Sequence, residues 1–374
     1  MKAGTIIAVV VALVAGMLVG MYALAPTPEA PVTAENAAAP ETAGSEAAAP
    51  AQQAGVRWRM GSAFASSLPI LGTMGKRFEE RISTVSNGNI RVQFFEPGAL
   101  VPALELYDAV SEGSVDAGWS TAGYWAGKVP AAQFFTAVPF GPGLGEFLAW
   151  VYHGGGLELW QELYARNNIH VLPCNMISPE GSGWFREPID DISQLQGLKM
   201  RFFGLGARVM EKLGVSTQLL AGGDIYPALE LGTIDATEFS MPVIDEGLGF
   251  YEVAKNYYMP GWHQPTSINE LMINMDRWNA LTESQQATVE AVCGDNVRAG
   301  IAEAEASQFK ALQDLQEKGV TLHRWPDEFL DRFRAAWEEV AQEEAAKDPD
   351  FKKVLDSLTE FRNNYKIWRE DGYL

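Results

Sequence analysis

The chain is short of positive charge. It has 28 lysines and arginines against 48 aspartates and glutamates, a formal net charge of −20. That field repels nucleic acid and anionic membrane surfaces, which excludes both as partners of the folded body. It also repels organic anions at long range. An anion site here must therefore carry its own local positive charge, from an arginine, a metal or both. Cysteine is nearly absent: Cys174 and Cys293 are the only two. Two cysteines make no disulfide framework, and the sequence leaves open one bridge or two buried thiols. The four histidines, His153, His170, His263 and His323, are scattered, with no His-Glu-x-x-His spacing. Gly181-Ser182-Gly183 is not a nucleophile elbow, and no histidine or acid follows it in hydrolase order. Gly204-Leu205-Gly206 lacks the third glycine of a dinucleotide loop, since position 209 is valine.

What is present begins with an apolar run at residues 5–25 behind Met1-Lys2. It is longer than the usual signal-peptide core of about 7–15 residues and close to the roughly 20 that span a bilayer. The small-x-small site Ala23-Leu24-Ala25 is followed by Pro26, a poor neighbour for cleavage. Residues 1–25 are thus a signal peptide or an N-terminal anchor, with an uncleaved anchor favoured, and the remainder is exported. Residues 26–55 are almost wholly Ala, Pro, Glu, Thr, Ser and Gln with no aromatic residue, and read as a disordered linker.

The length exceeds one ordinary core and implies two lobes. A strand at 56–62, an amphipathic helix at 69–83, a strand at 90–95, a helix at 103–112 and a strand at 115–120 give a β-α-β-α-β order. That order argues a mostly parallel α/β lobe. Tyr124 and Trp125 follow the last of these strands. Tyr124 reads equally as pocket wall or packing, and Trp125 as packing. A helix in two parts at 146–167 leads to a strand at 170–174, then to a Gly-containing bend, 178–185, with Glu180 and Trp184. Glu180 is a metal ligand or a turn acid. Residues 257–266 read as a loop with polar groups amid aromatics. A strand at 268–275 returns to the first sheet. The long helix at 281–318 opens on Thr282 and Gln285, a capping box, and carries Val289, Val292, Val297, Ile301, Phe309, Leu312 and Leu315 as a buried stripe. Two amphipathic helices, 326–346 and 348–365, close the chain and pack on the body or on a second copy. The division expected is lobe I from 56–150 plus 241–325, lobe II from 151–240, and C-terminal helices from 326–374.

The stretch 197–238 carries the chemistry. It reads Gly-Leu-Lys-Met-Arg-Phe-Phe, a short helix, then Leu-Leu-Ala-Gly-Gly-Asp-Ile-Tyr-Pro-Ala-Leu-Glu-Leu-Gly-Thr-Ile-Asp-Ala-Thr-Glu. Arg201 ends one apolar-alternating run and Glu238 ends another. Open α/β sheets hold ligands beyond the carboxyl ends of their strands, so both residues are expected in one cleft holding a small organic anion.

These motifs, with Thr-Ala-Gly-Tyr-Trp at 121–125, resemble the solute-binding subunits of tripartite ATP-independent periplasmic (TRAP) transporters, the DctP-like family. The resemblance spans residue 56 to the C-terminus. It implies a two-lobe periplasmic clamshell with a long hinge-spanning helix, and a non-catalytic periplasmic receptor that hands its solute to membrane permease subunits. Glu180-Gly-Ser-Gly-Trp184-Phe185 and Gly261-Trp-His-Gln264-Pro resemble the branch that binds 2-oxo or 2-hydroxy monocarboxylates through a bound cation. On that resemblance Arg201 grips the substrate carboxylate with two parallel bonds, and Tyr124 donates to the same group. Trp184 and Phe203 wall the apolar side. Glu180, Glu238, the carbonyl of Phe239 and Gln264 surround Na⁺ or Ca²⁺. Position 180 is an acid where the family has an amide, and 264 an amide where it has an acid, so two carboxylates remain. Two rival readings stay in view. A C4-dicarboxylate or sugar-acid receptor would need a second cationic group in the pocket. An exported metal-dependent hydrolase or lyase would turn its substrate over.

Overall fold

A computed structural model describes residues 55–373. The expected anchor and all but the last residue of the linker lie outside the described residues. Among the described residues no helix is long and apolar enough to cross a membrane.

The first lobe is built on strand β1, Val56–Ser62. Its inward Trp58 and Met60 are buried while Arg57 and Arg59 face outward. Helix α1, Thr73–Val85, returns the chain so that β2, Ile90–Phe95, pairs parallel with β1, with Val56 opposite Ile90. After the short helix α2, Leu106–Ser111, strand β3, Ala117–Ser120, pairs parallel on the other side of β1. Helices α3, Leu144–His153, and α4, Gly156–Ala165, precede β4, Ile169–Ile177.

The second lobe begins with β5, Gly183–Phe185, followed by β6, Lys199–Arg201, α5, Gly204–Lys212, and β7, Ser216–Gln218. Helix α6, Gly222–Glu230, β8, Ala236–Thr237, α7, Pro242–Leu248, and β9, Asn256–Met259, continue it. Strand β10, Ser267–Asn274, goes back to the first lobe and inserts antiparallel between β3 and β4. All eight of its residues are buried, as a central strand covered on both faces requires. After α8, Met275–Asn279, the long helix α9, Glu283–Glu317, leads to β11, Thr321–Arg324, which pairs with β9. The sheet orders are β2-β1-β3-β10-β4 and β11-β9-β5-β8-β6-β7.

Sheet membership departs from the expected division at 150 and 241. Strand β4 belongs to the first sheet, and β9 and β11 to the second. The reason is pairing: β4 is held along its length by β10, so the chain leaves the first sheet only after residue 177. The C-terminal helices also divide. Helix α10, Asp327–Lys347, puts Phe329 and Phe333 into the second-lobe core. Helix α11, Pro349–Asp371, packs Phe351, Val354 and Leu358 on the first lobe, with Phe351 and Phe134 ring centroids 4.6 Å apart. Its last turns leave Ile367 and Trp368 exposed.

The capping box forms as expected. Gln285 N donates to Thr282 Oγ1 (3.3 Å), and Thr282 N to Gln285 Oε1 (2.9 Å). Phe309 is 65 % exposed, against expectation. At about 100° per residue it has drifted to roughly the opposite face from Val289. The two cysteines settle as a disulfide, S–S 2.03 Å, tying β4 to α9.

Strand β10 also buries Glu270. Its Oε1 accepts from Trp125 Nε1 (2.6 Å) and its Oε2 from Tyr164 Oη (2.8 Å). Burial pushes its carboxyl up to about 8, more than these donors pull it down. The folded state then holds a proton that the unfolded chain, titrating near 4.5, has lost. Stability should fall as pH rises between those values, by up to about 1.4 kcal/mol per pH unit from this group. Glu270→Gln, which cannot ionise, should gain on the wild type through that window and level off above it. Urea unfolding of both proteins from pH 4.5 to 9 checks this, and a constant gap would refute it.

Candidate functional site

Arg201 is the last residue of β6, and Glu238 directly follows β8, its parallel neighbour. The two strand ends therefore present both side chains at one point. Arg201 is 1 % exposed. Its Nη1 donates to the Glu238 carbonyl (2.7 Å) and to Glu238 Oε1 (2.8 Å), and its Nε to the Leu220 carbonyl (3.2 Å). The guanidinium carbon lies 5.1 Å from the Phe239 ring centroid and 5.7 Å from that of Phe203. Aromatic faces strengthen a buried cation's field by excluding water.

Glu238 Oε1 also accepts from the Phe203 amide. Its Oε2 has no hydrogen-bond partner and lies 3.5 Å from His263 Nε2. The same nitrogen is 3.5 Å from Glu180 Oε2, which likewise has no hydrogen-bond partner. Glu180 Oε1 accepts from Gln264 Nε2 (2.7 Å), leaving Gln264 Oε1 without a partner. Three buried oxygens thus accept no hydrogen bond, a costly state that the His263 imidazole at 3.5 Å offsets in part for the two carboxylates. Ligand atoms of Glu180, Glu238 and His263 all lie within 4.8 Å of one another.

The charges are matched to this crowding. Burial pushes Glu180 up to about 7, with His263 pulling the other way. Burial also opposes the Glu238 charge, but Arg201 and His263 outweigh it and hold that carboxyl below its usual range. Burial pulls His263 down, and the two carboxylates overcome it and hold the imidazole at about 9.

The backbone permits this approach at one glycine. A Cβ on Gly261 would lie 2.4 Å from the Glu180 carbonyl oxygen, so only glycine lets the 260–264 turn reach the 178–182 run. Phe140 N donates to the Trp262 carbonyl (2.7 Å), which holds that turn from outside.

A pocket with about 290 Å³ of empty space lies against these groups. Glu180, Arg201 and Gln264 line it, with Phe64, Phe203 and Phe239 as apolar wall and Thr121, Tyr124, Ser240 and Asn269 as polar wall. Tyr124 is set edge-on to Phe203, centroids 5.4 Å apart, and burial pushes its phenol up to about 12, so at neutral pH it keeps the proton with which it can donate. Among the described residues Arg201 is the one arginine or lysine lining the pocket. Of the expected residues, Tyr124, Glu180, Arg201, Phe203, Phe239 and Gln264 line the pocket, and Glu238 stands behind Arg201 without lining it. Trp184 does not line the pocket. Strand β5 pairs it with Tyr257 on one side and Thr237 on the other. Its ring stacks on Tyr257 at 4.0 Å, and its Nε1 donates to Asp245 Oδ2 (2.8 Å). It reaches the pocket wall through Asp245, whose Oδ1 accepts from the amide of Ser240 (3.0 Å). Phe239 contributes its ring as a wall. His263 went unread in the sequence; its one signal was its place beside Gln264 in an aromatic-rich turn.

Residues 60–348 match the model of the DctP family, bacterial extracellular solute-binding protein family 7. The chain belongs to that family. It is 36 % identical over 315 residues to a monocarboxylate 2-oxoacid-binding periplasmic protein of Nostoc sp. (strain PCC 7120), covering 84 % of this chain and 86 % of the relative. Its fold is similar to a TRAP solute-binding protein from Bordetella bronchiseptica that holds copurified calcium and picolinate. The TM-score is 0.83 at 35 % identity, over 85 % of this chain and 95 % of that one. It is also similar to one from Colwellia psychrerythraea with bound calcium and pyruvate, TM-score 0.80 at 30 % identity, over 84 % and 96 %. A third, from Pseudoalteromonas atlantica with bound sodium and pyruvate, has TM-score 0.79 at 31 % identity over the same shares. The DctP chain is thus an extracytoplasmic solute-binding receptor with a two-lobe α/β fold. It serves transport and is not an enzyme.

Proposed function

We propose that this receptor captures a small 2-oxo or 2-hydroxy monocarboxylate of pyruvate size, together with a Na⁺ or Ca²⁺ ion, and delivers it to a membrane permease. One observation carries the reading: a lone pocket-lining arginine stands near three buried oxygens, Glu180 Oε2, Glu238 Oε2 and Gln264 Oε1, that accept no hydrogen bond, with His263 Nε2 at 3.5 Å from the two carboxylate oxygens. An all-oxygen set of this kind fits a hard cation. Glu180, Glu238 and Gln264 would hold it, with the Phe239 carbonyl as a further ligand, and it would draw the carboxylate and its 2-oxygen into a field that is otherwise acidic. Arg201 takes the substrate carboxylate and Tyr124 donates to it. Phe203 covers the apolar end. The relatives named for calcium or sodium with pyruvate support the same choice. A C4-dicarboxylate is disfavoured because its second carboxylate would meet no further basic residue among those lining the pocket.

Titration calorimetry tests this. Pyruvate should bind with one-to-one stoichiometry when sodium or calcium is present, lose affinity in sodium-free, chelator-treated buffer, and regain it on adding calcium. Succinate should bind far more weakly. Cation-independent binding, or tighter binding of succinate, would overturn the proposal.

A further inference from the structure

The long helix α9 changes partner along its length. Its earlier turns lie on β4. There Asn296 Nδ2 donates to the Cys174 carbonyl (2.9 Å), and a Cβ on Gly300 would come within 1.9 Å of Asn175 Oδ1. Its end lies on α7, where Lys318 Nζ meets Glu246 Oε1 at 2.6 Å. The changeover takes one turn. Glu305 Oε1 accepts from Ser178 Oγ (2.5 Å). Three residues on, Gln308 Oε1 accepts from the Val243 amide (3.2 Å), and its Nε2 lies 3.6 Å from Met241 Sδ. Residues at i and i+3 are neighbours on a helix surface, so one patch of α9 holds both partners.

Both contacts fall beside the proposed ion ligands. Ser178 opens the run after β4, two residues before Glu180, and Met241 comes three residues after Glu238. The runs 178–182 and 238–241 are irregular, and they meet where the Gly181 amide donates to the Ser240 carbonyl (3.3 Å). An α-helix, bonded along its whole backbone, is the stiffer body behind them. A cation is exacting about spacing, because its ligand distances hold to a few tenths of an ångström.

We propose that Glu305 and Gln308 are positioning residues: from one turn of α9 they fix the gap between Glu180 and Glu238, and so set the affinity for the cation. The inference rests on the reading of those two carboxylates as ion ligands. Neither residue lines the pocket. Each acts through the run it holds. Without its helix contact that run relaxes, and its carboxylate leaves the spacing an ion needs.

The test is calorimetric titration of calcium into the full chain, in sodium-free buffer with excess pyruvate. Glu305→Ala and Gln308→Ala should each weaken calcium binding about fivefold or more, the worth of one hydrogen bond. Glu305 is exposed and Gln308 half-buried, so neither change opens the core. Glu305→Gln keeps an acceptor for Ser178 and should stay within twofold of wild type. Lys318→Ala breaks an α9–α7 contact away from both runs and should leave calcium affinity unchanged, even where urea unfolding shows lower stability. If wild type binds calcium and both alanine variants stay within twofold of it, the positioning role is wrong and the ion site stands. If Lys318→Ala weakens calcium as much as they do, general loosening of the helix explains the loss and the proposal falls. If pyruvate binds wild type with no need of a cation, the reading of the ion ligands falls and the positioning role with it.

Discussion

Arg201→Ala should weaken capture of pyruvate by about tenfold to 150-fold, the range of one charge-assisted hydrogen-bonded pair. The loss should not stop at affinity. Arg201 is buried, and its Nη1 holds both the side chain and the carbonyl of Glu238. Without it, Glu238 keeps the Phe203 amide and the His263 contact but loses its nearest full positive charge. Stranding one partner of a buried pair costs about 3–5 kcal/mol. The apo variant should therefore unfold at lower urea, and added calcium should restore part of the stability through the carboxylates. Arg201→Lys separates charge from shape. A lysine keeps the charge but cannot make two parallel bonds to one carboxylate while holding Glu238. Its pyruvate affinity should fall at least tenfold. Calorimetry and urea unfolding read both effects; an Arg201→Lys protein within threefold of wild type would mean that Arg201 does not grip the substrate with its planar fork.

Removing the Cys174–Cys293 bridge should give the largest loss of stability. The bridge closes a separation of 119 residues and joins β4 to α9. On the chain-entropy account a loop of that size restricts the unfolded chain by about 5 kcal/mol. Both cysteines are buried, so the double replacement Cys174→Ala and Cys293→Ala avoids placing a hydroxyl in the core. We expect the melting temperature of the ligand-free double variant to drop by roughly 5–10 °C. Calorimetric melting of wild type, reduced wild type and the double variant should put the last two together. A drop under about 2 °C would mean that contacts around β4 and α9 carry the junction without the bridge.

How much of this was legible depends on how local the cause was. Arg201 and Glu238 could be read because each ends an apolar-alternating run, and parallel neighbours bring their carboxyl ends together. The long helix announced itself through Thr282 and Gln285. The strands 183–185, 216–218 and 256–259 could not be read, because three or four residues show no period and are strands only through distant partners. Trp184 was misplaced for the same reason: its direction is set by Thr237 and Tyr257, far along the chain. His263 gave no metal-like spacing, since its companions Glu180 and Glu238 arrive from other elements. The lobe boundary was missed because β10, a late strand, is what claims β4 for the first sheet.

Glu180 lies in the run between β4 and β5, and Gln264 in the run between β9 and β10. These are two of the passages by which the chain crosses from one sheet to the other. Their side chains meet at 2.7 Å, so two of the proposed ion ligands stand on the crossings themselves. On the proposed function an ion held there would work as a latch pin, gripped by the crossings between the two sheets rather than by the sheets. Unloading would then require those crossings to loosen first, and every tenfold of affinity would add about 1.4 kcal/mol to what release must overcome.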